Sequence, residues 1–283
     1  MSVELAKKYA PYTDEMFKAE SKLSLLTNTD FDWTGAHTVS VWKISTVAMN
    51  DYSRNRGADY EESEASLSRF GKIIDLNAQT EEMLLTKDRS FIFNIDKMDQ
   101  DETAEQVKAE SALARQIREV VIPEVDTYVY NEMAENAGTT ASAASLTAAN
   151  IYDSIVSGTE VLDDAEVPDT ERVMVVSPAT YRIMKKSPDI LLDCDISEEM
   201  RLKGVIAMVD GMAVVKVPAS RLPESFGFMI AHPSAAVAPV KLEDYGTHPD
   251  TALSSGTIVT GRIVYDAFVL DNKAMAIYYH PIA

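Results

Sequence analysis

DQDETAEQVKAESALARQIREVVIPEVDTYVYNEMAENAG, residues Asp99 to Gly138, carries one long helical pattern around which the rest of the chain is organised. Val107, Ala114, Ile117, Val121, Val125, Tyr128 and Met133 recur at helical spacing and make one apolar face. Glu105, Lys108, Glu110, Arg115 and Arg118 spread around the remainder. Asp99, Asp101 and Thr103 each offer a side-chain oxygen to the first turn. Thr103 with Gln106 has capping-box spacing, and Asn136-Ala137-Gly138 supplies a C-terminal stop. Unbroken, a helix of this length would run about 50 Å, longer than a compact domain of such a chain is thick. Pro123 opposes this, because it has no amide proton and its ring crowds the carbonyl of Glu119. Val125, Tyr128 and Met133 continue the apolar face beyond it, so a bend is expected there rather than a break.

A chain of 283 residues is long enough for one large domain or two. Hydrophobic residues make up 46% and charged residues 25%, the balance of a folded soluble protein rather than a disordered one. With 45 acidic against 26 basic residues the net charge is -19, which repels nucleic-acid phosphate and anionic membrane. Sequence-specific binding of DNA or RNA is therefore not expected. Cys194 is the single cysteine, so no intrachain disulfide can form and no metal-ligand spacing exists around it. The opening MSVELAKKYAPYTDEMF lacks the apolar run of a secretion signal, and no later run is long enough to span a bilayer. No membrane partner is expected.

Outward from the helix, residues 1 to 30 read as a short helix and a polar lead. Ala10, Met16 and Phe17 cannot form a core alone, so this arm must lie on something else. From Phe31 to Val47 the pattern turns to period two, with Val39 and Val41 favouring a strand that fades into NDYSRNRGADYEESEASLSRFG. That tip is charged and has no apolar face. The chain returns through Lys72 to Leu76, and TEEMLLTKDRSFIFNID reads as two strands around a Lys87-Asp88 turn. So long an excursion with so little to bury calls for a partner to receive it.

Beyond the helix, TTASAASLT is a small-residue linker, followed by a helix expected from Ala148 to Ser157 with Ile151, Ile155 and Val156 inward. RVMVVS (Arg172 to Ser177) is a short buried strand, with Pro178 suited to the first position of the next helix and Pro188 beyond its end. VIAMVDGMAVVKVP is a hairpin turned at Asp210-Gly211, and FGFMIAH (Phe226 to His232) is another buried strand. From Ser157 to His232 this makes a small α/β unit with its own core. TIVTGRIVYDAFVLDNKAMAIYYH reads as two long strands turned at Asp271-Asn272 that return beside the long helix.

Catalytic chemistry finds little support. The acidic runs Asp96 to Glu102 and Asp189 to Glu199 are the best metal candidates, yet neither has the glycine and terminal glutamate of a calcium loop. The first run suits a helix N-terminus, where carboxylates offset the dipole. His37, His232, His248 and His280 are scattered, without ligand neighbours at short spacing. There is no G-x-S-x-G elbow, and acidic neighbours disfavour a Cys194 thiolate. With no phosphate-cradling glycine loop either, no catalytic residue, metal or cofactor is expected. Arg54, Arg56, Glu61, Glu62 and Glu64 at the excursion's tip suit either a solvated loop or pairing with charges on a neighbouring subunit.

The order of these parts resembles the major capsid protein of tailed bacteriophages, with its Hong Kong 97-type α+β fold. FIFNIDKMDQDETA, EVVIPEVDTYVYNEMA, RVMVVSPATYRIMKK and GRIVYDAFVLDNKAMAIYY carry the resemblance in combination and order. It implies an N-terminal arm over 1–32, an E-loop over 33–95, and a peripheral P-domain over 96–138 and 233–283 that holds the spine helix. Residues 139–232 become the axial A-domain. The implied role is a coat protein that assembles through hexamers and pentamers into an icosahedral shell around phage DNA, made in the host cytoplasm and ending in the virion. Arg54, Arg56, Glu61, Glu62, Glu64, Lys72 and Lys87 are the implied subunit-interface residues. The excursion starts near Phe31, so a separate scaffolding protein or none is implied, together with a portal protein and DNA enclosed without sequence-specific binding. Nothing around Lys72, Lys87 or Asn272 marks the lysine-asparagine crosslink of some members. The alternatives are an encapsulin-like compartment of the same architecture and an α/β hydrolytic enzyme with a pocket in the central unit.

Overall fold

The structure, a computed structural model, describes residues 21–28, 38–44, 46–49, 51–52, 70, 75, 78–98, 109–190, 205–249 and 255–283. Expectations for the tip cluster, Lys72, His37, Cys194, the capping residues 99–103 and Val107 lie outside these residues. The chain divides into two compact units, Gly35–Leu85 and the remainder. The first is built on β1 (Thr38–Ile44) and β2 (Ala78–Leu84), paired antiparallel from Thr38 opposite Leu84 to Ile44 opposite Ala78. Lys43 and Glu81 lie on one face of this ribbon and join at 3.0 Å. The expectation from Val39 and Val41 is met.

In the second unit, β3 (Lys87–Asp96) precedes the long helix. The helix is seen as α1 (Ala109–Gln116), a π-helical turn Ile117–Val121, and α2 (Ile122–Glu135). The backbone stays helical through Pro123. The Ile122 amide donates to the carbonyl of Ile117, five residues back, so the turn ahead of the proline is wide. That widening is how the ring is admitted without a break. At the far end the Asn136 amide donates to Glu132 O at 3.0 Å, and the Gly138 amide to Ala274 O at 2.9 Å. A Cβ on Gly138 would come within 2.5 Å of the Ala274 backbone, so the expected stop is enforced by packing.

Next come β4 (Thr139–Thr140), α3 (Ile151–Asp164), β5 (Val173–Val176), α4 (Pro178–Met184), β6 (Val205–Val209), β7 (Met212–Lys216) and β8 (Phe226–Ala231). The last elements are β9 (Ala236–Val237), β10 (Val240–Pro249), β11 (Gly256–Tyr265), β12 (Phe268–Val269) and β13 (Ile277–Pro281). Among the described residues one sheet runs β4-β13-β8-β5-β7-β6, a second runs β10-β11-β3, and β12 pairs with β9. Ser177 caps α4 by accepting from the Thr180 amide at 3.1 Å, with Pro178 at the start. Asp210 and Gly211, at φ 50° and 76°, make the left-handed two-residue turn between β6 and β7.

Strand alternation sends side chains of the larger sheet to two cores. Val173, Val175, Met229, Ala231, Ile277 and Tyr279 pack with Val129, Tyr130, Met133 and Ala134 of α2. Met174, Val176, Phe228, Ile230 and Tyr278 pack with Ile151, Ile155 and Leu162 of α3 and Met184 of α4. The sheet is thus filled on both faces, which is why β5 and β8 read as unbroken apolar runs.

Four expectations are corrected. Lys87-Asp88 is no turn: both residues begin β3, which pairs with β11, while β2 pairs with β1. β11 and β13 do not form a hairpin at Asp271-Asn272. A 3-10 turn, Asp271–Ala276, carries the chain from one sheet to the other, and β13 joins β8. Residues from Ser157 to His232 therefore do not complete their own sheet. The helix expected at 148–157 runs from Ile151 to Asp164 with Val156 exposed, because Gly158 and Leu162 extend its buried face.

Two glycines give a graded test. A Cβ on Gly227 would meet the His280 carbonyl oxygen at 2.4 Å, whereas one on Gly211 meets nothing and strains only the backbone. Gly211→Ala should cost about 1–2 kcal/mol. Gly227→Ala should cost more, since the paired strand must move. Urea unfolding of both variants checks the order.

Candidate assembly surfaces

Two buried carboxylates grip α2. Asp266, just after β11, is 3% exposed and accepts from the Thr86 amide at 2.7 Å, the Thr86 hydroxyl at 2.8 Å, Tyr128 OH at 2.7 Å and the Ala267 amide at 2.8 Å. Thr86 belongs to the same unit as Asp266, so this carboxylate ties the segment ahead of β3 to helix and sheet together. Asp126, 2% exposed, pairs with Arg221 at 2.6 Å and accepts from Ser21 Oγ at 2.6 Å. Ser21 is thereby tied to the same helix.

The outer parts of the three-stranded sheet carry charge. Arg262 forks onto Asp88 at 2.9 and 2.6 Å, and Arg89 meets Glu124 at 2.7 Å. Lys87, expected at an interface, sits with Nζ 4.7 Å above the Tyr128 ring. Ile92 on the same edge strand is 69% exposed. On the opposite face Phe91 stacks with Phe93 and Tyr245, a contact that Gly261 allows because a Cβ there would meet Phe91 at 2.3 Å. Asn272 lies in the 3-10 turn.

Two tyrosines beside these carboxylates titrate high. Burial first, then Glu124, pushes Tyr265 up to about 12, and burial with its bond to Asp266 pushes Tyr128 up as well. The remaining expected polar groups have local roles. His232 accepts from the Ser234 amide at 3.2 Å, His248 meets Thr260 at 3.0 Å, and His280 stacks on Phe228 with ring centroids 5.0 Å apart. Asp96 accepts from the Met98 amide at 2.8 Å. Among the described residues, no group of three or more His, Cys, Asp or Glu is placed to hold a metal ion, and no helix is long and apolar enough to cross a membrane.

No protein-family model matches the sequence, and no curated protein does. Solved structures do match. A structure from Mycobacterium phage Che8 superposes with a TM-score of 0.74 at 17% identity, covering 99% of this chain and 98% of that one. The capsid of cyanophage P-SCSP1u gives 0.73 at 13% identity, covering 99% and 93%. The mature capsid of bacteriophage PhiM1 gives 0.72 at 14% identity, covering 99% and 92%. The chain has the Hong Kong 97-type phage capsid fold. In this capsid fold the helix through Glu135 is the spine helix.

Sequence reasoning missed the residues that fasten the spine. Asp126 alone left a trace, as a charged residue among apolar neighbours on a helix; its partner Arg221 lies 95 residues away. Asp126→Ala strands the Arg221 charge and should cost about 3–5 kcal/mol, whereas replacing both by leucine or methionine should recover most of that. Thermal unfolding of the single and double variants checks it. For the tyrosines, the folded pKa lies above the ordinary 10, so the folded state holds the proton more tightly. Their contribution is full below pH 10 and lost as pH rises from 10 through about 12. Tyr265→Phe should flatten that alkaline decline in a pH series of unfolding midpoints.

Proposed function

We propose that this chain is the major capsid protein of a tailed bacteriophage, the subunit of the icosahedral shell that encloses the genome. The observation that carries the reading is the extent of the likeness, 99% of this chain against 92–98% of each of three phage structures. A structural rather than catalytic role follows from it. The subunits associate through hexamers and pentamers, in which each patch meets a different patch on its neighbour and rings close. Residues 1–32 serve as the N-terminal arm, 33–95 as the E-loop, 96–138 with 233–283 as the P-domain, and 139–232 as the A-domain. The compact unit Gly35–Leu85, falling inside 33–95, supports the E-loop as a separate part.

Arg54, Arg56, Glu61, Glu62, Glu64, Lys72 and Lys87 contribute contacts between subunits, each weak and all acting together. A separate scaffolding protein directs closure, and a portal protein occupies one vertex. DNA is held without sequence-specific contacts, in keeping with the net charge of -19. Assembly proceeds in the host cytoplasm and the product is the virion.

Negative-stain electron microscopy tests this on the chain expressed alone and with its neighbouring genes. Closed shells or capsomer rings are expected. A compact monomer in both preparations at high concentration would overturn the reading, as would a gene neighbourhood with a cargo enzyme in place of terminase and portal. Arg54→Ala with Arg56→Ala should reduce shell yield; undiminished assembly removes the tip from the interface.

A further inference from the structure

Between the start of β3 and the spine lies an open hollow of about 510 Å³, with Lys87, Arg89, Glu124, Tyr128, Asn131 and Tyr265 around it. Its charges are unevenly met. Arg89 donates to Glu124 at 2.7 Å, and Tyr265 OH donates to the same carboxylate oxygen at 3.3 Å. Lys87 has an aromatic face instead, with Nζ 4.7 Å from the centre of the Tyr128 ring. That ring is fixed in turn, because its hydroxyl donates to the buried Asp266 at 2.7 Å. Among the described residues, neither the Lys87 ammonium nor the side-chain amide of Asn131 has a hydrogen-bonding or ion-pair partner. The ammonium is thus held on a rigid support while its N–H donors stay available.

Two cations and one carboxylate leave the hollow positive, on a chain whose net charge is -19. Such donors select an anionic oxygen. Nucleic-acid phosphate is repelled by the chain as a whole, whereas a second copy brings 45 acidic side chains against 26 basic ones. We propose that this hollow receives a carboxylate side chain from a neighbouring copy of the chain, paired with Lys87 and hydrogen-bonded by Asn131. The inference rests on the shell reading and names the group that Lys87 meets in it. Lying near water, the pair orients the contact more than it tightens it.

Zero-length coupling on the assembled full chain tests it. Shells are formed from equal amounts of ordinary and heavy-isotope-labelled chain, and a carbodiimide joins amines to carboxylates already in contact, with loss of water. Mass spectrometry should find Lys87 bonded to an acidic peptide in species that mix one light and one heavy partner, and Lys87→Gln should abolish them. Shells in which Lys87 couples only within one chain, or not at all, overturn the inference and leave the shell reading standing. A chain that stays monomeric overturns both. Independently, Lys87→Glu should lower shell yield several-fold while Lys87→Arg keeps most of it; undiminished assembly of Lys87→Glu also overturns the proposal.

Discussion

Asp266 is the constraint on which the seating of α2 beside β11 rests. A carboxylate out of water is costly unless its oxygens are satisfied, and here four donors converge on it, two from Thr86, one from the spine and one from its own loop. Asp126 repeats the arrangement on the other side of the helix. Positions 126 and 128 lie about 200° apart around a helix, so the two acids hold α2 from opposite sides. A helix held in this way cannot roll against either sheet without breaking a charged bond.

Both sheets take their positions from that helix. Val129, Tyr130, Met133 and Ala134 meet the six-stranded sheet, while Val121, Val125 and Tyr128 pack with Ile263 and Tyr265. What the periodicity presents as a single stripe serves two contact faces. The π turn lies between the segment gripped by the acids and α1, and it concentrates the departure from regular geometry into five residues.

Elements set by local chemistry were legible in the sequence. The apolar run of β5, Pro178 at a helix start and the Asp210-Gly211 turn each depend on neighbours a few residues away, and each stands where its pattern placed it. Pairing partners were not legible. Lys87-Asp88 has the look of a turn, yet β3 finds its partner in β11, far along the chain. β10 escaped notice because its segment, Val240 to Pro249, carries charges, a glycine and a proline in place of an alternating apolar pattern. The buried acids left almost no signal, since an aspartate reads as surface until the residues that satisfy it are known.

The position of β13 bears on how the protein is made. It lies between β8 and β4, and its residues 277–281 follow β8 by some forty-five positions of chain. Until they leave the ribosome, the all-apolar strand Phe226–Ala231 has an open edge, a template for unwanted pairing. A nascent chain halted short of Ile277 is therefore a species for chaperones and proteases to clear.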